Sequence, residues 1–178
     1  MSGELIEILS ASPRMQRLLD ELERLALPDA WIGAGAVRSA YWAVRHGRDP
    51  EAVGGDVDVV YFDPHRAPED DARIQEELAR RWPIAWEVVN QAHVHRWYAW
   101  LQGPLTSTAH AVSLWPETAT CVAARRACGA IELLAPHGLD DLLALRWRAN
   151  PACPDPTAFA RRLEQKRVRE LWPQVTIG

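Results

Sequence analysis

Apolar positions along the chain fall into blocks of two periods. Over residues 12–27, Met15, Leu18, Leu19, Leu22 and Leu25 recur at three- and four-residue steps, which is one face of a helix. Ser12 and Pro13 suit its cap and first turn, and Pro28-Asp29 closes it. A short apolar run, Trp31-Ile32, breaks on Gly33-Ala34-Gly35, and a helical pattern follows from Ala36 to about His46. A polar, glycine-rich loop over 47–55 leads to a β-branched run from Asp56 to Phe62, stopped by Asp63-Pro64. The pattern then predicts a helix over 69–82 with Ile74 and Leu78 inward, and a third strand over 84–89. A hairpin-like run over 121–134 follows, then helices over 139–148 and 157–171.

These blocks imply an α/β fold: one mixed sheet flanked by helices, with a helical C-terminal part. A length of 178 residues suits a single domain. Its core is expected over about 28–135 and its helical part over about 136–178.

The strand at residue 56 carries the sharpest chemical signal. Side chains alternate along a strand, so Asp56 and Asp58 share one face while Val57 and Val59 point into the core. Aspartate is depleted in strands, and two carboxylates side by side repel unless a cation lies between them. A hard divalent ion with oxygen ligands fits that pair.

Upstream, Gly33 and Gly35 let backbone amides approach a phosphate, and the following helix points its N-terminal N–H groups at it. Arg38 lies on the first turn of that helix. Gly33-x-Gly35 is also the start of a dinucleotide fingerprint, but Arg38 holds the place of the third glycine. A third carboxylate is sought downstream. Glu87, between Trp86 and Val88, follows the expected helix directly and is preferred to Glu132, which sits between Ile131 and Leu133. Asn90 and His95 are further candidates to line the site. His93 and His95 share a face only on a strand. The basic residues of the last helix, Arg161, Arg162, Lys166, Arg167 and Arg169, face either water or a phosphate-rich partner.

Gly-Ala-Gly-Ala-Val-Arg at 33–38, a helix, then Asp-Val-Asp at 56–58 resembles the head of the polymerase-beta-type nucleotidyltransferases. In this chain Ala34 stands where the first glycine of the pair usually is. CCA-adding enzymes carry a close variant, with an aspartate where this chain has Ser39. The stretches EVVNQAHVH, TSTAHAVSLWPET and APHGLDDLLALRWRANP are similar to those of a bacterial group known only as nucleotidyltransferase family proteins. The resemblance implies transfer of a nucleotidyl group from an NTP to a hydroxyl-bearing acceptor. It implies two Mg²⁺ ions, or Mn²⁺ in their place, held by Asp56, Asp58 and Glu87, and a triphosphate held by Gly33, Ala34, Gly35 and Arg38. The acceptor, whether protein, RNA or small molecule, stays open.

Composition narrows this further. A net charge of −4 argues against a broad nucleic-acid-coating surface. Lys166 is the sole lysine. Three cysteines without metal-type spacing fit a reducing compartment, and no apolar run or signal-peptide core points to a membrane, so a cytoplasmic location is expected. Two other readings stand at this level: a nucleotide-binding module without turnover, and a dinucleotide-binding oxidoreductase.

Overall fold

The computed structural model describes residues 2–101 and 103–178. Helix α1 (Ser2–Ala11) leads straight into α2 (Pro13–Leu25) through Ser12. The Ser12 side chain accepts from the Met15 amide, and Ala26 closes α2 in the left-handed region, so the cap and stop signals act as the sequence implies. Strand β1 (Trp31–Gly33) and helix α3 (Gly35–Arg45) follow, then β2 (Val57–Tyr61), α4 (Asp70–Arg81) and β3 (Trp86–Asn90). A short helix α5 (Thr108–Ser113) precedes the hairpin of β4 (Ala123–Ala127) and β5 (Ala130–Leu134).

The five strands form one sheet in the order β3-β2-β1-β4-β5. β2 and β3 are parallel, joined through α4. β1 is antiparallel to both its neighbours, β2 and β4. That arrangement excludes the dinucleotide-binding reading, whose glycine turn follows a strand within a parallel sheet. One face of the sheet, with Ile32, Val57, Val59, Tyr61 and Val88, packs against the helices in the main core. The other face carries Asp58, Val60, Glu87 and Val89, and it holds the chemistry.

The C-terminal part departs from the expected long helices. The helix foreseen over 139–148 is only α6 (Asp140–Leu143). Leu145 takes a positive φ of 53°, a conformation that ends a helix, and the chain enters β6 (Arg146–Trp147). The helix foreseen over 157–171 is split into α7 (Ala158–Gln165) and α8 (Val168–Leu171) by Arg167 at φ 47°. A last strand, β7 (Thr176–Ile177), pairs parallel with β6. Trp147 and Trp42 are fully buried against each other, ring centroids 6.1 Å apart. Leu142, Trp147, Val168 and Trp172 thus join the same core as Leu5 and Leu9, and burying each such side chain contributes roughly 2 kcal/mol.

Candidate active site

The strand register explains the acidic cluster. Asp58 lies directly across from Glu87 in the parallel β2–β3 pair, so both carboxylates leave the same sheet face side by side. Asp56, just before β2, adds a third. Oxygen atoms of Asp56, Asp58 and Glu87 all lie within 4.8 Å of one another. Glu87 is exposed, not buried in an apolar strand as its neighbours Trp86 and Val88 suggest: they point into the core while it points to the cleft.

Charge in the cluster is balanced unevenly. Burial and the neighbouring carboxylates Asp56 and Glu87 push the Asp58 carboxyl up to about 7. Burial also raises the Asp56 carboxyl, but the Lys166 ammonium outweighs it and holds Asp56 below its usual range. Lys166 Nζ, from the turn after α7, donates to Asp56 Oδ1 at 3.1 Å and Oδ2 at 3.4 Å. The sole lysine of the chain thus sits as a cation against the acids. A Lys166→Met variant is expected to bind Mn²⁺ several-fold more tightly in the absence of nucleotide, because the ion no longer competes with an ammonium for Asp56. Water-proton relaxation reads this directly, and weaker Mn²⁺ binding would show that Lys166 supports the ion site instead.

Beside the acids lies the start of α3, which has no side-chain cap. Ala34, at φ 47°, holds the backbone conformation that a glycine usually supplies and provides no side-chain cap to α3. The first amides of α3 therefore lack a side-chain acceptor at its cap. Arg38 does not swing in solvent: it is 5% exposed and lies between the rings of Trp42 and Trp147, at 5.2 and 5.0 Å. Its Nη1 donates to Thr120 Oγ1 at 3.1 Å and its Nη2 to Ser39 Oγ at 3.3 Å, while its buried Nε has no partner. Burial pushes this guanidinium down to about 10, against the opposing pull of Glu117. Glu117 is fully buried and accepts from Arg162 Nε at 2.8 Å. Arg38 as a residue lines the cleft, and a guanidinium there offers positive charge to an anionic ligand.

Gly33 takes a different part. It pairs with Asp58 in the sheet but does not line the cleft. A Cβ there would stand 2.7 Å from the Trp115 ring, so the glycine serves packing. Gly33→Ala is expected to cost about 1–3 kcal/mol of stability with nucleotide affinity of the folded protein unchanged. A thermal melt beside a titration checks both, and lost affinity without lost stability would return Gly33 to the phosphate site.

Other candidates lie elsewhere. Asn90 is fully buried and ties the backbone of Asp63 and Asp71's carboxylate to β3. It is a structural fastener. His95 falls on a 3₁₀ turn that His93 caps, not on a strand; His93 Nε2 donates to the Arg66 carbonyl at 2.8 Å, and neither lines the cleft. Glu132 accepts from Arg125 Nε at 2.7 Å on the hairpin, three strands from β2 and so roughly 14 Å away. The basic face of the last helix, left open by the sequence, is divided: Arg161, Arg162, Lys166 and Arg167 line the cleft, with Arg161 and Arg167 exposed at its rim, and Arg169 does not line it. Thr120 and Glu117 carry no sequence motif, and only the fold brings them to Arg38.

These groups share one cleft of about 1060 Å³. Three convergent carboxylates offer hard oxygen donors, the set that Mg²⁺ or Mn²⁺ takes, and the ammonium against Asp56 marks the place as cation-seeking. Among the described residues no helix is long and apolar enough to cross a membrane.

A family model described as nucleotidyltransferase matches residues 20–177. Among solved structures, one whose NMR study reports a CCA-adding enzyme head domain superposes with a TM-score of 0.88 at 29% identity, covering 98% of this chain and 94% of that one. Two structures of a tRNA-processing enzyme, one of them with CTP, share the fold at TM-scores of 0.51 and 0.50 and 18% identity. They align over 90% of this chain, which spans less than half of theirs, 43%. No curated protein matches the chain.

Proposed function

We propose that this chain, which belongs to the nucleotidyltransferase family, moves a nucleotidyl group from an NTP to a hydroxyl-bearing acceptor in a metal-dependent reaction. The observation that carries the reading is the convergence of Asp56, Asp58 and Glu87 beside the uncapped start of α3 and the buried Arg38. The likeness to a tRNA-processing enzyme solved with CTP supports an NTP as the donor.

Asp56, Asp58 and Glu87 would hold Mg²⁺ or Mn²⁺, which neutralises charge on the polyphosphate and on the leaving pyrophosphate. The α3 amides and Arg38 bind and orient the triphosphate, with Arg162 and Lys166 supplying further positive charge. The acceptor oxygen forms a bond to the α-phosphorus. The bond from that phosphorus to the bridging oxygen breaks, and its electron pair leaves with pyrophosphate. Glu87, exposed to the cleft, takes the hydroxyl proton.

Incubating the protein with each of the four NTPs, with and without Mg²⁺, tests the reading. Metal-dependent nucleotide binding with slow pyrophosphate release is expected for at least one of them. Binding without any release would favour a module that kept the fold and lost turnover, and no binding would sink the reading.

A further inference from the structure

The cleft does not end at the carboxylates. β1 and β2 run antiparallel with Gly33 opposite Asp58 and Trp31 opposite Val60. Ala34 and the start of α3 therefore lie toward the beginning of β2, with Asp56. In the other direction the same sheet face carries Val60 and Val89, two residues on from Asp58 and Glu87. Val60 packs with Trp115. Val89 packs with Val94, Leu101 and Leu105. Tyr98 and Trp100 also line this arm while remaining 54% and 48% exposed.

The two arms differ in charge. Among the described residues, every basic side chain lining the cleft comes from residues 14–48 or 161–167. Among the described residues from Val89 to Pro116, none that lines the cleft is charged.

We infer that this second arm holds the acceptor, and that the acceptor is a small molecule with an uncharged, apolar aryl or alkyl body bearing the hydroxyl. The inference rests on the nucleotidyl-transfer reading above. Sites for single-stranded nucleic acid join aromatic platforms to a basic groove that tracks the phosphates. Here the aromatics stand without that groove: among the described residues from Val89 to Pro116, none that lines the cleft is basic. An apolar body fits the walls, and its hydroxyl emerges beside Asp58 and Glu87, opposite the triphosphate. A cleft of about 1060 Å³ has room for a drug-sized molecule beside a nucleotide.

The full chain is titrated with 2-naphthalenemethanol by calorimetry, while thermal shift with Mg²⁺ and each NTP reports the nucleotide arm. Saturable binding of the alcohol that persists with the nucleotide bound is expected. A Tyr98→Ala/Trp100→Ala double variant, altered only at exposed positions, should weaken alcohol binding by about tenfold or more and keep the nucleotide shift. Absence of saturable binding, displacement by the nucleotide, or unchanged affinity in the double variant overturns the inference. So does an RNA oligonucleotide that competes for the arm. If the alcohol binds as expected but no NTP shifts the melt, the nucleotidyl-transfer reading has failed and the arm's occupant is not an acceptor.

Discussion

Asp58→Asn is expected to cripple nucleotidyl transfer while making the metal-free protein more stable. Asp58 stands between two other carboxylates on a desolvated sheet face, and burial and their charge lift it from its ordinary 3.8 to about 7. Because the folded value lies above the unfolded one, the folded chain holds an extra proton between pH 4 and 7. Ionised Asp58 therefore destabilises the fold above about pH 7, and the penalty fades as pH falls toward 4. Removing the charge should raise stability at pH 8 by roughly 1–2 kcal/mol, discounted for the solvent that reaches the cleft, or about 3–6 °C. The gain should vanish near pH 4. Wild type should recover the same stability on adding Mg²⁺ at pH 8, and the variant should not. Turnover should drop on the order of a thousandfold. A variant that melts no higher than wild type at pH 8 would show that the three acids do not repel one another in the folded chain.

Part of this arrangement is written locally and part is not. The i, i+2 spacing of Asp56 and Asp58, the break at Gly33-Ala34-Gly35 and the apolar rhythm of α2 and α4 are short-range signals, and each gives its element nearly to the residue. The depleted aspartates in an otherwise apolar strand mark the face before any partner strand is known. What the chain does not show locally is register. Chain order favours Glu87 over Glu132, two glutamates in near-identical apolar settings, but only the parallel pairing of Asp58 with Glu87 sets its carboxylate beside Asp58. The same limit hides which basic residues near α7 reach the cleft. A run of arginines reads alike whether it faces water or a cleft, and the break at Arg167 needs a backbone angle that no residue type dictates. The early end of α6 at Leu143, before the positive φ of Leu145, has the same origin: its apolar spacing fits a helix, and tertiary burial of Trp147 prevails. Gly33 is the reverse case, a motif residue whose place is set by Trp115, 82 positions further on.

Glu87→Gln should cut turnover by about a hundredfold or more with nucleotide affinity nearly unchanged, whereas Glu132→Gln should leave both within about twofold. The contrast follows from what each carboxylate touches. Glu87 faces the cleft, lies across from Asp58 and forms no ion pair among the described residues; its charge is free to act on a ligand. Glutamine keeps its size and one oxygen donor but removes the negative charge and the capacity to take a proton. The loss therefore falls on the transition state, where charge and proton move, and less on binding, which the proposed function assigns to the α3 amides and Arg38. Glu132 is exposed on the hairpin and satisfied by Arg125, and exposed pairs of that kind contribute about 0–1 kcal/mol to stability. Steady-state kcat and KM beside a binding titration separate the two effects. If Glu87→Gln raises KM and Kd together and spares kcat, Glu87 helps to seat the nucleotide and takes no part in the chemical step. If Glu132→Gln is the slower variant, the hairpin must reach the acids in some other state of the chain, and the cleft drawn here is not the one in which the reaction occurs.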